Sequence, residues 1–177
     1  MNVEDDPVVL RRALDQLSGL LDVIPSDALS DRTSCEEWSV QDLVDHIVAA
    51  PSRFARMVRG EGIDWSVPTA SAGRDPVARF RSNADDLLRA VSDHATPDTP
   101  VALDWQCAEF AVHTWDLAAA LGRSTVDLDA EVAERGLAFM RANLTATNRG
   151  PAFGPEQPAP GDADPYQRVA AFAGRSV

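Results

Sequence analysis

The sequence predicts an all-α bundle of four or five helices joined by short links. Apolar residues recur at alternating spacings of three and four in successive segments, the spacing of one helix face. Two of those segments open on an acidic residue followed by proline, a helix-start signal. No segment shows sustained strand alternation, and there is no internal repeat.

In the first helix, Asp6-Pro7 is the start signal. Leu10, Leu14, Leu17, Leu21 and Ile24 follow at spacings of 4, 3, 4 and 3, and Pro25 ends the run. Residues 26–38 read as a polar connection. The second helix starts at Ser39, where Ser39-Val40-Gln41-Asp42 has the form of a capping box. Val40, Leu43, Val44, Ile47, Phe54 and Met57 form its apolar face. Pro51 lies inside it and is expected to kink or interrupt it one turn earlier. Gly60 and Gly62 stop it, and residues 60–74 form a loop carrying Trp65 and Pro68.

Asp75-Pro76 opens a third helix with Val77, Phe80, Ala84, Leu87 and Val91 inward. Pro97 and Pro100 mark the next connection. Asp104 is then expected to cap a fourth helix running to Leu121, with Gly122 just past its end. Its core stripe is Ala108, Val112, Trp115 and Ala119. A fifth helix runs from about Asp129 to Leu144, with Val132, Leu137, Met140 and Leu144 inward. From residue 145 the composition changes. Glycines and prolines crowd between Gly150 and Pro165, so 145–177 reads as an irregular Pro/Gly-rich strap with one short helix at 165–173. The chain is expected to be one domain over 1–177, with the strap part of it.

The charges narrow the partners. The 177 residues carry 16 basic and 28 acidic side chains, a net charge of −12, and every basic residue is Arg. Such acidity argues against nucleic acid and against anionic membrane surfaces. No apolar run exceeds five residues, so nothing is expected to span a bilayer. Met1 to Asp6 lacks a signal pattern, and a cytoplasmic location is expected. The two cysteines, Cys35 and Cys107, are too few for a disulfide scaffold and read as free, buried thiols.

Three histidines can be weighed singly. His46 lies mid-helix, on or beside the buried face of the second helix. Glu109 and His113 are four apart on the fourth helix, hence stacked on one face among Phe110, Ala111, Val112 and Trp115. A carboxylate in such company needs a partner: an Arg, hydrogen-bond donors or a metal. If His46 faces the same point, two imidazoles and one carboxylate make the ligand set of a catalytic zinc centre with an open position. The alternative is an ordinary Glu–His pair beside an unrelated histidine. His94 reads as a solvated charge at a helix C-terminus.

The residue strings carry more than the spacing. Thr33-Ser34-Cys35-Glu36-Glu37-Trp38-Ser39-Val40-Gln41-Asp42-Leu43-Val44-Asp45-His46-Ile47 resembles the first signature of the actinobacterial DinB-like metal-binding proteins. These are similar to the N-terminal domain of mycothiol-dependent maleylpyruvate isomerase. Glu109-Phe110-Ala111-Val112-His113-Thr114-Trp115-Asp116-Leu117-Ala118 resembles the second signature. Phe153-Gly154-Pro155-Glu156 and Phe172-Ala173-Gly174-Arg175 match compact members of the group. The resemblance implies a DinB-like antiparallel four-helix bundle with the metal near one end. It implies that His46, Glu109 and His113 hold a zinc-type divalent ion. Two departures stand out. The isomerase has a further C-terminal domain, for which this chain has no room, so a reaction other than maleylpyruvate isomerisation is expected. Pro51 also stands where relatives carry small residues.

A cation held by two neutral imidazoles and one carboxylate favours the thiolate of an incoming thiol. The expected activity is transfer of a low-molecular-weight thiol, mycothiol in kind, to a small electrophile, or isomerisation by reversible thiol addition. Hydrolysis and non-catalytic binding of a metal or small ligand are the alternatives. Asp116 reads either as an orienting partner of His113 or as a surface acid. Asp42 reads as a cap, Trp38 and Trp115 as core, and Arg53 and Arg56 as a solvated face. A monomer or a homodimer is expected.

Overall fold

Each segment with three-and-four apolar spacing is a helix in the structure. A computed structural model describes residues 6–35, 37–64, 67–94, 96, 99–149 and 153–177. Its helices are α1 (Asp6–Leu21), α2 (Val40–Val58), α3 (Pro76–Asp93), α4 (Thr99–Ala120), α5 (Ala130–Asn143) and α6 (Pro165–Phe172). A short 3-10 turn, Ser26–Ser30, lies in the connection before α2. Among the described residues there is no strand, only an isolated antiparallel bridge between Arg32 and Ser39. The all-α bundle and its added C-terminal helix stand as expected.

The caps explain most of the boundaries. Ser39 Oγ accepts from the Asp42 amide at 3.2 Å, and Asp42 accepts from the Ser39 amide at 3.0 Å, so the capping box forms despite the short Asp. Asp75 caps α3 with Pro76 in its first turn, Asp129 caps α5, and Asp164 forms a second capping box with Gln167 at α6. Of the positions read in loops, Trp65, Pro97, Gly150 and Pro151 lie outside the described residues.

Three expectations are corrected. α2 is not interrupted at Pro51, which is buried inside it, so of the expected kink or interruption it is the interruption that is corrected. Proline removes one backbone donor from the helix, and Asn83 of α3 supplies a bond nearby, donating to the Val48 carbonyl at 2.8 Å. α4 begins at Thr99, not after Asp104. Pro100 stands in its first turn, where a missing N–H costs nothing, so the residue read as punctuation is part of the helix. Asp104 instead pairs with Arg135 of α5 at 2.6 Å. Ala119, assigned to the core stripe, is exposed.

α4 is central. α1, α2, α5 and α6 all pack on it, and every residue from Phe110 to Ala118 is buried. A one-sided stripe cannot describe a stretch buried on all sides. Its contact with α5 is backbone-close: a Cβ at Gly136 would stand 2.8 Å from the Ala108 Cα. α2 and α4 run antiparallel, since His46 meets Glu109 while Phe54, two turns later, meets Trp105, four residues earlier. The strap returns through α6, which buries Tyr166, Val169, Ala170 and Phe172 against α4 and α5.

Candidate metal centre

Two helix faces and one turn converge at the end of the bundle where α2 begins. The capping box fixes the start of α2 and places His46 two turns in, beside buried Leu43 and Ile47. Before it, Thr33 Oγ1 donates to the Trp38 carbonyl at 2.9 Å, and the Trp38 amide donates to the Cys35 carbonyl at 2.8 Å. That turn brings Cys35 and Trp38 over the same end. On α4, Glu109, His113 and Asp116 lie on one face by helical spacing.

The donor atoms meet closely. His46 Nε2 is 2.7 Å from Glu109 Oε1, and His113 Nε2 is 3.4 Å from the same oxygen. The two imidazoles meet edge to face, with centroids 4.7 Å apart. The side chains of His46 and Glu109 keep 17% and 20% of their exposure, so the cluster is reachable from one side. Trp38 covers the histidines, its ring 4.8 Å from His46 and stacked 6.1 Å from His113.

Behind His113 the surroundings are dry. His113 Nδ1 lies 3.1 Å from Asp116 Oδ2, and Asp116 is wholly buried. An ionised carboxylate only accepts, so Nδ1 carries the proton and the Nε2 side faces Glu109. Arg175, itself buried, donates through Nε to Asp116 Oδ1 and through Nη2 to Oδ2, each at 3.1 Å. Cys35 Sγ donates to Asp116 Oδ2 at 3.3 Å.

Charge accounts for the protonation states. Burial alone would raise the Glu109 carboxyl, but the charge of His113 and hydrogen bonds from both histidines hold it far below the usual carboxylate range. Burial would lower His113; Glu109, Asp116 and Cys35 outweigh it and raise it. Burial also opposes ionisation of Asp116, and His113 and Arg175 reverse that, lowering it.

The residues present fit a divalent ion. Two imidazole nitrogens and a carboxylate oxygen lie within 4.8 Å of one another. The 3.4 Å edge matches the roughly 3.3 Å between ligands about 2.0–2.1 Å from a tetrahedral zinc. The 2.7 Å edge is a hydrogen bond whose proton a cation would replace.

A family model described as the mycothiol maleylpyruvate isomerase N-terminal domain matches residues 10–118, which hold His46, Glu109, His113 and Asp116. The chain belongs to this family. Two uncharacterized proteins, from two strains of Mycobacterium tuberculosis, are each 33% identical over 185 residues, covering 97% of this chain and 99% of the relative. No solved structure matches. The DinB-like bundle expected from the signatures is consistent with the isomerase N-terminal family.

Within the family segment, His46, Glu109 and His113 come together, and His94 does not join them. His94 is the exposed C-cap of α3, its Nδ1 3.1 Å from the Ala90 carbonyl. Asp116 is an orienting partner and not a surface acid. Asp42 caps, as expected. Trp115 is core, whereas Trp38 also covers the histidines. Arg53 and Arg56 stay on the surface, bonded to the Val67 carbonyl and to Glu61. Cys107 is buried and in no disulfide, as read. Cys35 is free but only half-buried, and the turn at Thr33 brings it to His113 despite its distance in sequence. The residue that sequence reasoning missed is Arg175, outside the matched segment. Its signal was a cation one glycine past the apolar run Val169–Ala173.

Proposed function

We propose that this chain binds one divalent ion, zinc in kind, through His46, Glu109 and His113. It uses that ion to activate a low-molecular-weight thiol, mycothiol or a close analogue, for transfer to a small electrophile or for isomerisation by reversible addition. The observation that carries the reading is the convergence of three donors of the right chemistry at a reachable end of the bundle. Membership of a family named for a mycothiol-dependent isomerase supports the thiol as partner. The strap at 145–177 belongs with the bundle as one domain, since α6 is buried against α4 and α5.

When bound, the ion supplies Lewis acidity that favours the thiolate over the thiol. The chain's own residues do the rest. Asp116 holds the proton on His113 Nδ1 and so presents Nε2 as the donor. Glu109 would hold the ion with a carboxylate and offset part of its charge. Trp38 offers an apolar face beside both imidazoles and screens one side from water. The partly exposed His46–Glu109 edge is the way in.

Elemental analysis of the purified protein is expected to give about one divalent ion per chain. His46→Ala, Glu109→Ala and His113→Ala each lose most of it, and His94→Ala keeps it. With cobalt bound, an added thiol is expected to produce a sulfur-to-metal charge-transfer band in the near ultraviolet. Loss of metal from His94→Ala with retention in His46→Ala would show the wrong site. A metal-loaded protein that never gives the band, whatever the thiol, would point to hydrolysis or to binding without turnover.

A further inference from the structure

His113 stands between two donor clusters. Its Nε2 faces Glu109 and His46, and its Nδ1 faces Asp116. The second cluster, Cys35, His113 and Asp116, is as tight as the first: its donor atoms also lie within 4.8 Å of one another. On donor chemistry alone it is the better zinc site, because zinc takes thiolate readily and a cysteine replaces a histidine. Nothing in the order of the residues says which cluster a metal would choose.

The choice is made by a cation the chain already carries. Arg175 grips Asp116 with two parallel donors at 3.1 Å, and its Nη2 also lies 3.4 Å from Cys35 Sγ. A guanidinium stays charged at any pH the protein survives, so this cation is permanent. Both oxygens of Asp116 and the sulfur of Cys35 are therefore already committed to a positive group. A divalent ion on the Nδ1 side would have to sit against the guanidinium, in a region where Asp116 is fully buried and screening is weak. Among the described residues the Nε2 side shows no such group: the partners of Glu109 there are the two histidines.

The fold gives Arg175 little freedom to leave. Gly174 has a φ of +95°, and its backbone crosses that of Gly154 so closely that a Cβ at 174 would stand 2.6 Å from the Gly154 Cα. That turn follows buried α6 directly and sends Arg175 back into the bundle, where Nη1 also donates to the Ala173 carbonyl at 2.9 Å.

We propose that Arg175 is a positioning residue that confines metal to one face of His113. It keeps Cys35 and Asp116 from coordinating, and it holds Asp116 as the acceptor that fixes the His113 tautomer. The inference rests on the metal reading above. It adds a selectivity device from outside the family segment.

The test uses the full chain loaded with cobalt and no added thiol. The wild type is expected to bind one ion and to show no sulfur-to-cobalt band. Arg175→Met, which removes the cation, is expected to show the band, and Cys35→Ser in that background removes it. Arg175→Lys, which keeps a charge, is expected to stay without the band. If Arg175→Met does not fold, Arg175→Gln carries the same expectation. An anchoring salt bridge alone would change stability in these variants without bringing sulfur to the metal. A band in the wild type, or none in any folded variant lacking the charge, overturns the inference while leaving the His46–Glu109–His113 site standing. Failure of the wild type to take up cobalt overturns both.

Discussion

The two sides of His113 carry similar groups and behave oppositely. On the Nε2 side a carboxylate, Glu109, sits between two imidazoles within reach of solvent. On the Nδ1 side a carboxylate, Asp116, sits in the dry interior against a guanidinium. The protons that neutralise Glu109 are exchangeable, and a metal ion can take their place. The charge that neutralises Asp116 is covalently part of the chain and cannot be exchanged. In the proposed site one carboxylate is thereby left able to meet an ion, and the other to hold a neighbour in place. Burial alone does not separate the two roles; the nature of the counter-charge does.

The largest expected effect breaks the dry side. Asp116→Ala removes the carboxylate that faces the buried charge of Arg175 and should cost about 3–5 kcal/mol, read as a lowered midpoint in chemical or thermal unfolding. Loss within the range of a surface substitution, about 0.5 kcal/mol, would mean that the tail simply swings out.

The next effect sharpens the reachable side. Zinc at about one hundred times its dissociation constant should stabilise the wild type by about 2.7 kcal/mol, seen as a shift in the unfolding midpoint. Glu109→Gln, which keeps the shape and removes the charge, should lose most of that shift, and should also lower the metal-free midpoint because His113 loses a counter-charge. Equal stabilisation of both proteins would put the ion elsewhere.

The smallest effect asks whether the strap stays docked. Tyr166 in α6 is the chain's sole tyrosine, is buried, and accepts from Gln16 Nε2 at 2.8 Å. Burial pushes its hydroxyl up, well above the ordinary value of 10. A raised pKa stabilises the fold fully below the unfolded value of about 10, and that part is lost as pH rises beyond it. Tyrosinate absorbance should therefore appear only together with unfolding, above pH 10. Ionisation near 10 with the helical signal intact would show α6 detached, and Arg175 with it.

Helices were legible where local rules act alone. Leu10 to Leu21, Val77 to Val91 and the cap at Asp75 needed nothing beyond spacing and start signals. α4 was harder because it is covered on every side, so no polar face marks its phase, and Pro100 disguised its start. His46, Glu109 and His113 were legible because two of them share a helix face and all three sit in recognisable residue strings. Cys35 and Arg175 were not. One is placed by the turn around Thr33 and the other by a crossing of Gly154 and Gly174, and both are tertiary facts. A buried Asp116 demands a cation, but sixteen arginines offered themselves, and spacing along the chain does not rank them.

His113 touches a partner at each ring nitrogen and is stacked under Trp38. Ordering a side chain on binding typically costs about 0.5–1.5 kcal/mol in lost rotamer freedom. For this imidazole that entropy is already lost when the protein folds. Its contribution to the proposed metal site would therefore be set in advance, and folding stability and affinity for the ion would depend on the same restraint. Any change that loosens the ring should weaken both together.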